Sequence, residues 1–399
     1  MSTTPIVQGE QSPSDAGVRT FMAALRLDPL MLLATIGLMV CSLVTIAHAT
    51  QDDIPGSPDY YVIRQGIYFT VGMLLMLAIS RADYSRLREL KFGLYGLMIG
   101  GILLVLALGT ASRGSRRWIE LPFFNFQPSE LGKLLLILTL AAFAVDRYRR
   151  INDRDTTVRV MLIALVPAAL VMLQPDLGTG LVYVVIAIAT LFVFGTPMRH
   201  LAAIGALFAV SAAFVLVAAP AVGVQVLKPY QVDRLTAFLN PSDNPASQGY
   251  QQIQSRIAIG SGQKTGRGDQ ATQTRLNFLP EHHTDFIFAV VGEQFGFVGA
   301  ALVLLLYALL IWRALRILTL AKNLYGVLIA GGITAMLMFQ VFVNVGMTIG
   351  IMPITGVTLP LMSFGGSSVL VTFMALGLLQ SIHAQGRESL GFKPQAATF

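Results

Sequence analysis

Long apolar runs recur along nearly the whole chain, and they constrain the fold more than any other feature. Each run holds roughly 18–20 apolar residues, enough for a helix to cross about 30 Å of hydrocarbon. Hydrophobic residues make up 54% of the 399 residues and charged residues only 12%, whereas soluble domains average about 25% charged residues. We therefore expect an all-α polytopic membrane protein.

The apolar pattern predicts about ten transmembrane helices in one bundle. The fifth and sixth are separated only by "QPDLG", which predicts a tight helical hairpin. Glycine pairs such as Gly96–Gly100 and Gly292–Gly296 are expected to permit close helix contacts. No internal repeat is evident, which weakly disfavours an inverted-repeat transporter. The predicted spans lie near residues 30–48, 62–80, 92–110, 127–145, 159–173, 178–195, 201–219, 286–312, 324–346 and 366–384.

Basic residues in the short loops indicate the orientation. The loops at 81–91, 146–159 and 313–322 are rich in Lys and Arg and fall on one side, whereas the first opposite loop is acidic. The positive-inside rule places basic loops in the cytoplasm. Both termini are then cytoplasmic, and a large extracytoplasmic loop, 220–285, joins helices 7 and 8. The net charge of +7 reflects this topology, so we expect no nucleic-acid partner.

The remaining segments complete the predicted domain organisation. Residues 1–25 are expected to form a disordered cytoplasmic tail, since they begin polar and lack the apolar core of a signal peptide. The membrane domain covers 26–385, and a second cytoplasmic tail covers 386–399. The single cysteine, Cys41, lies in the first apolar run, so it cannot form an intramolecular disulfide.

The predicted extracytoplasmic loop at 111–126 carries basic residues against the orientation trend. Arg113, Arg116 and Arg117 precede Trp118 in "SRGSRRWIELPFFNFQPSELGK". These residues could contact lipid headgroups, with Trp118 as an interfacial anchor. They could also recognise an anionic lipid substrate, because guanidinium groups form forked hydrogen bonds with phosphate. Placing the loop inside would break the alternation everywhere else.

Polar residues also stand at the predicted starts of two helices. Pro128 suits the first turn of a helix, and Glu130 and Lys133 then lie on one face. They could form a mutually neutralised buried pair or belong to a polar site. Asp176 in "QPDLGTG" could cap the next helix or act at the outer surface.

The long loop contains the glycine-rich stretch "GYQQIQSRIAIGSGQKTGRGD". It resembles a phosphate-cradling turn only weakly, since it is not a P-loop motif and no strand precedes it. Lys264, Arg267 and Arg275 make the segment basic. That charge suits a diphosphate ligand and suits a solvated loop equally well.

The stretch "LPEHHTDFIFAVVGE" (279–293) places an acid at the mouth of a predicted membrane helix. Thr284 or Asp285 could cap the helix that begins near Phe286. A carboxylate beside an arginine-lined surface is also placed to accept a proton from a sugar hydroxyl, so Asp285 is the predicted catalytic residue.

Three other polar residues of this stretch have weaker interpretations. His282 and His283 could ligate a metal, but adjacent histidines lack the usual spacing of ligand pairs. Glu293 is expected to be a buried acid that is hydrogen-bonded or protonated, because an exposed charge within a membrane is costly.

Five motifs, in this order, resemble the SEDS family of polytopic peptidoglycan glycosyltransferases (shape, elongation, division and sporulation proteins). They are "SRRWIELPFFNFQPSELGK", "QPDLGTG", "QSRIAIGSG", "FLPEHHTDFIFAVVGEQFG" and "NVGMTIGIMPITGVTLPLMSFGGSS". The resemblance covers nearly the whole chain after the tail. It implies a ten-helix bundle that polymerises lipid II, a disaccharide-pentapeptide on an undecaprenyl diphosphate carrier.

The resemblance also implies site residues, a cofactor and partners. Asp285 of "HTDF" matches the catalytic aspartate of the family. Other expectations are a divalent cation (Mg or Mn) without an organic cofactor, a class B penicillin-binding protein and elongation-complex proteins as partners, and an extracytoplasmic active site in the bacterial inner membrane. The residues expected to bind substrate are Arg113, Arg116, Arg117, Trp118, Gln127, Ser129, Glu130, Lys133, Asp176, Gln254, Ser255, Thr284, Ser363 and Ser367.

Within the family, "IQSRIAIGSG" and "PITG" resemble the elongation branch, RodA. The division branch, FtsW, more often has lysine at the position of Thr355. The expected function is therefore glycan polymerisation during cell elongation and shape maintenance, with septal polymerisation as the alternative.

Three functions of other classes stay open. A lipid II flippase would use the same substrate and arginines without chemistry. An ion-coupled transporter needs acids at mid-bilayer, for which Glu293 is one candidate. A structural scaffold would tolerate the loss of Asp285.

Overall fold

The computed structural model describes residues 27–51, 53–112, 115–120, 124–221, 229–239, 248–275 and 278–391. The predicted tail 1–25 and Arg113 lie outside these residues. Ten helices of the described residues are long and apolar enough to cross a membrane. The predicted number of spans and the polytopic helical architecture are confirmed.

The spans alternate in direction, so one end of the bundle holds every second connection. The helices are α1 (Pro29–Ala49), α2 (Tyr60–Arg81), α3 (Lys91–Leu108), α4 (Pro128–Asp146), α5 (Arg154–Leu173), α6 (Leu177–Phe194), α7 (Met198–Ala221), the shorter α8 (Pro229–Leu239), α9 (Gln248–Ser261) and α10 (Thr272–Arg275), then α11 (Ile287–Leu320), α12 (Leu324–Ile349) and α13 (Gly366–Gly391). The connections after α1, α3, α5, α7 and α12 form what we call the Asp285 end.

A small sheet occupies the connection between α3 and α4. Strands β1 (Thr110–Ser112), β2 (Ser115–Glu120) and β3 (Asn125–Phe126) pair antiparallel in the order β1-β2-β3. The predicted all-α fold class is confirmed, and the structure adds this short sheet, which the sequence analysis did not predict. Alternation over only two to six residues is too short to predict strands.

Burial separates the central helices from the peripheral ones. In α4 and α13, 83% of the most apolar 18-residue stretch is buried, whereas none is buried in α7. The hairpin of α5 and α6 forms as predicted, with α5 ending at Leu173 and α6 beginning at Leu177. The bundle therefore centres on α4 and α13, and α7 presents its apolar side chains to the surroundings.

The prediction from glycine spacing holds at one pair only. A Cβ on Gly96 or Gly100 would meet nothing within 4 Å, so the predicted close contact there is wrong. A Cβ on Gly292 would lie 3.0 Å from the side chain of Ile259 in α9. The close contact at this glycine is therefore with the long connection.

Helix α11 is interrupted at Gly296, whose φ of 64° and ψ of −158° are not helical. A break inside a membrane is tolerated where protein groups satisfy the freed backbone. The N–H groups of Phe297 and Val298 donate to the carbonyls of Gln263 (2.9 Å) and Lys264 (3.1 Å). The predicted span near 286–312 is thus a longer helix, Ile287–Leu320. The glycine-rich stretch supplies the carbonyls that accept from the free N–H groups at its break.

The same close approach explains two of the four glycines of "GSGQKTGRGD". A Cβ on Gly262 or Gly266 would come closer than 3.0 Å to backbone atoms of α11. These glycines therefore serve helix packing, and the weak resemblance to a phosphate-cradling turn has a structural explanation.

Glu293 is fully buried and accepts hydrogen bonds from the long connection. Its Oε1 accepts from the N–H of Gln273 at 2.8 Å, and its Oε2 accepts from the N–H and Oγ1 of Thr274 at 3.0 and 2.6 Å. The prediction of a buried, hydrogen-bonded acid is confirmed. The acid considered for an ion-coupled transporter instead anchors the start of α10.

Candidate functional site

Residues 278–286 form a loop that leads into α11, and Asp285 lies near its end. We call this segment the Asp285 loop. The first residue of α11 is Ile287, and its N-cap is Phe286, which makes no side-chain capping bond. Neither Thr284 nor Asp285 occupies the capping position, so the capping explanation for these residues is wrong. Asp285 is half-buried.

Asn344 of α12 holds two backbone segments at the site, one at Asp285 and one at Val357. Its Nδ2 donates to the carbonyl of Asp285 at 2.9 Å and to the carbonyl of Val357 at 2.8 Å. The Asn344 side chain is fully buried. Because one amide nitrogen serves two carbonyls, it joins the Asp285 loop to the connection between α12 and α13.

The 355–357 segment of that connection lies between Asp285 and α6. A Cβ on Gly356, whose φ is 75°, would lie 3.5 Å from Asp285 Oδ2. A Cβ on Gly178, in the first turn of α6, would lie 2.8 Å from the carbonyl of Thr355. The 355–357 segment therefore contacts both Asp285 and the N-terminus of α6, which carries the positive end of the helix dipole.

Ser363 and Thr284, both predicted to bind substrate, hold the backbone of the Asp285 loop. Ser363 Oγ donates to the carbonyl of Thr284 at 2.6 Å and accepts from the N–H of Leu359 at 2.8 Å. Thr284 Oγ1 donates to Glu281 Oε2 at 2.9 Å. Each predicted residue therefore has a protein partner that orders the backbone around Asp285.

The predicted residues at the starts of α4 and α6 form one buried network. Gln127 Nε2 donates to Ser129 Oγ at 3.0 Å and to Asp176 Oδ2 at 3.1 Å. Asp176 Oδ1 accepts from the N–H of Thr179 at 3.1 Å, so this acid caps α6 as expected. The structure brings these three residues together, but all are buried.

Glu130 and Lys133 form the neutralised pair that their spacing predicts. Their side chains are 9% and 3% exposed, and Lys133 Nζ lies 2.6 Å from Glu130 Oε2. Ser367 connects the start of α4 to α13, since its Oγ accepts from the N–H of Gln127 and donates to the carbonyl of Asn125, both at 2.9 Å.

Arg117 of the basic loop contacts the hairpin of α5 and α6. Its Nε donates to the carbonyl of Gln174 at 3.0 Å, and its Nη2 donates to the carbonyl of Pro175. The guanidinium thus closes this hairpin, and its binding of substrate stays a prediction. Arg116 and Trp118 lie in β2, opposite Ala111 and Thr110 respectively.

Gln254 and Ser255 lie in α9. Ser255 is fully buried, and its Oγ donates to the carbonyl of Thr348 at 2.8 Å, which fixes α9 against α12. Gln254 is half-buried. Ser255 is therefore a packing contact between α9 and α12.

Arg234 of α8 is a site residue that the sequence analysis missed. Its Nη1 donates to the carbonyl of Thr355 at 3.3 Å, which places a cation at the segment that adjoins Asp285. The arginine in "PYQVDRLTAFL" is one of several in the long connection. No spacing rule distinguishes it, because only the fold brings α8 to this segment.

Asp53, His282 and His283 form a cluster that fits a divalent cation. Each offers one ligand atom, and these atoms all lie within 4.8 Å of one another. Two imidazoles and a carboxylate are common metal donors. The sequence showed the two histidines but not their third partner, which lies some 230 residues earlier in the chain.

An apolar groove approaches the site from the membrane. It has a volume of about 770 Å³ and is lined by α6, α11 and α12 as far as Gly346, Ile349 and Ile351. Asn344, which holds Asp285, lies on the same helix at the same level. The groove therefore extends along α12 to the Asp285 end of that helix.

Fold and site together define a polytopic helical membrane protein with a polar site at one end of its bundle. A family model described as the cell cycle proteins FtsW, RodA and SpoVE matches residues 24–388. The chain belongs to this family, which confirms the resemblance to the SEDS proteins.

Several relatives are similar along nearly their whole length. The peptidoglycan glycosyltransferase MrdB of Escherichia coli K12 is 37% identical over 92% of this chain and 95% of its own. Stage V sporulation protein E of Bacillus subtilis is 37% identical over 90% and 95%. A probable peptidoglycan glycosyltransferase FtsW of Thioalkalivibrio sulfidiphilus is 37% identical over 95% of both.

Solved structures share the fold. A chain described under "Structural coordination of polymerization and crosslinking by a peptidoglycan synthase complex" is 35% identical, with a TM-score of 0.74 over 90% of this chain and 98% of that chain. The rod shape determining protein RodA of Thermus thermophilus is 30% identical, with a TM-score of 0.65 over 90% and 96%.

Proposed function

We propose that this chain is a peptidoglycan glycosyltransferase that polymerises lipid II, with Asp285 as its general base. The observation that carries the assignment is the placement of one half-buried carboxylate on a backbone held by Asn344 and Ser363. Relatives named as peptidoglycan glycosyltransferases, 37% identical over most of both chains, support the reaction class.

The reaction requires one proton acceptor and one leaving group. Asp285 takes the proton from the 4-hydroxyl of the acceptor N-acetylglucosamine as that oxygen attacks the anomeric carbon of the donor N-acetylmuramic acid. The new glycosidic bond forms while the bond to the diphosphate breaks. Undecaprenyl diphosphate leaves with the electron pair.

Charge develops on the departing diphosphate, and fixed positive groups stabilise it. Arg234 donates to the carbonyl of Thr355 and so brings a positive charge to the 355–357 segment. The N-terminus of α6 adds the positive end of its helix dipole. A divalent cation held by Asp53, His282 and His283 would add positive charge near the Asp285 loop. The apolar groove along α12 would keep the prenyl chain in the membrane.

The location and partner follow from the same proposal. The Asp285 end faces the extracytoplasmic side of the bacterial inner membrane, since the opposite end carries the basic connections. One similar structure is described as part of a synthase complex that coordinates polymerization and crosslinking. We therefore assign a class B penicillin-binding protein as the crosslinking partner, with elongation-complex proteins around it.

The branch of the family rests on motifs rather than on overall similarity. Relatives from the sporulation, MrdB and FtsW groups are all 37% identical. The motif containing Thr355 favours elongation. Complementation of strains depleted of RodA or of FtsW tests this assignment: rescue of rod shape supports it, and rescue of division alone contradicts it.

The reaction itself is tested with purified protein and fluorescent lipid II, with and without the partner, followed by electrophoresis of glycan strands. Wild type should give long strands, and Asp285→Ala none. A flippase would instead translocate lipid II across vesicles without polymer, and Asp285→Asn would leave that translocation intact.

A further inference from the structure

Three donor side chains meet between two distant segments at the Asp285 end. Asp53 lies in the turn between α1 and α2, and His282 and His283 lie in the Asp285 loop. Asp53 Oδ2 is 3.3 Å from His282 Nε2 and 3.8 Å from His283 Nδ1. The proposed reaction uses none of these groups directly.

A backbone carbonyl holds one ring nitrogen of His282 and leaves the other open. His282 Nδ1 lies 3.2 Å from the carbonyl of Leu279, and a carbonyl oxygen can only accept, so Nδ1 is the donor in this bond. Nε2 is buried 3.3 Å from Asp53 Oδ2 and has no hydrogen-bond partner among the described residues. A ligating histidine usually donates its second N–H in this way, because the bond fixes the ring orientation and raises ligand basicity.

A buried nitrogen without a hydrogen-bond partner beside a carboxylate is typical of a cation site. The His282 side chain is 4% exposed and that of Asp53 is 12% exposed, so water screens little of the attraction between these donors and a cation. The ligand atom of His283 lies in the same group. Three such donors around one point fit a metal ion.

We propose that Asp53, His282 and His283 bind one divalent transition-metal ion of the Mn²⁺ or Zn²⁺ class. Bonds of about 2.1 Å at tetrahedral angles separate ligand atoms by about 3.4 Å. Two of the three separations, 3.3 and 3.8 Å, lie near this value, and all three atoms lie within 4.8 Å of one another. The two imidazoles favour transition metals such as Zn²⁺, whereas Mg²⁺ and Ca²⁺ prefer oxygen ligands.

The surroundings leave a limited opening for a solvent ligand. The Tyr61 ring lies 4.7 Å from that of His283, and the Phe364 ring lies 5.9 Å from it. The His283 side chain remains 17% exposed. The ion would thus complete its coordination with water and would join the turn after α1 to the loop that positions Asp285.

Metal binding itself does not depend on the proposed glycosyltransferase function. The full chain, purified without a histidine tag in lipid nanodiscs and stripped by a chelator, is titrated with Mn²⁺ and followed by electron paramagnetic resonance. One saturable site per chain is expected. Asp53→Asn and His282→Gln should each weaken Mn²⁺ binding at least tenfold. Loss of an outer-shell partner typically costs about 10–100-fold in affinity, and loss of a direct ligand should cost no less.

Matched controls come from the same end of the bundle. Asp59 lies in the same turn as Asp53, and His48 is an exposed histidine nearby in α1. Asp59→Asn and His48→Gln should bind Mn²⁺ like wild type. If a variant unfolds, His282→Cys retains a ligand, and a Co²⁺ titration should then show a thiolate charge-transfer band absent from wild type.

Two results would overturn the metal site. One is the absence of saturable Mn²⁺, Zn²⁺ or Co²⁺ binding to folded wild-type protein; the other is equal binding by wild type and Asp53→Asn. Either result would leave the three side chains as a packing contact between the turn after α1 and the Asp285 loop. If wild-type protein binds the metal but makes no glycan from lipid II, the proposed function is refuted and the metal site stands.

Discussion

Asn344→Ala tests whether the backbone clamp on Asp285 contributes to catalysis. The change removes two hydrogen bonds, at 2.9 and 2.8 Å, from the carbonyls of Asp285 and Val357. Each such bond is worth about 1 kcal/mol net, and a buried carbonyl left unsatisfied costs more. We therefore expect the correctly positioned loop to lose about 2 kcal/mol, which lowers kcat about 30-fold if positioning limits the chemical step.

The assay measures the initial rate of glycan formation from lipid II, with kcat and KM determined separately. KM should change little, because Asn344 is fully buried and reaches only the backbone. Thr139→Ala is the matched control: it removes a buried hydrogen bond inside α4, from Oγ1 to the carbonyl of Leu135, and should retain kcat. A wild-type kcat for folded Asn344→Ala would refute the positioning argument.

Three further changes test the fold and the site. Asp28→Ala removes a fully buried carboxylate from its partly buried partner Arg313 and should lower the free energy of unfolding by about 3 kcal/mol, measured by denaturant titration; a change below about 1 kcal/mol contradicts this. Gly262→Ala should lower the Tm because its Cβ would meet α11 backbone, whereas Gly260→Ala, which meets nothing within 4 Å, should not; equal Tm values refute the packing argument. Arg234→Gln should lower kcat about tenfold, a loss of roughly 1.4 kcal/mol of transition-state stabilisation, while the exposed Arg267→Gln keeps it; an unchanged kcat contradicts the assigned role.

Hydropathy predicted the bundle because membrane spans are set by local composition. The hairpin at "QPDLG" and the cap on α6 by Asp176 follow from neighbouring residues alone. The break at Gly296 does not: it depends on carbonyls from 263 and 264, which the chain brings back from another segment. Strands of two to six residues in the 111–126 connection were likewise too short to predict.

Part of the candidate site was also predicted, where the signal lay in neighbouring residues. Asp285 stood out because a carboxylate at a helix mouth is unusual, and the structure removes its capping explanation. Arg117 was less informative, since its guanidinium holds backbone carbonyls. Asn344 and Arg234 were missed because their roles arise only from tertiary contacts with the Asp285 loop and the 355–357 segment.

The most direct test compares wild type with Asp285→Asn, which keeps the shape of the side chain and removes its basicity. Both proteins are incubated with fluorescent lipid II and the partner, and single-turnover glycan formation is measured beside lipid II binding. The account predicts that Asp285→Asn binds lipid II like wild type and forms no glycan. Glycan formation at the wild-type rate by this variant would contradict the assignment of Asp285 as the general base.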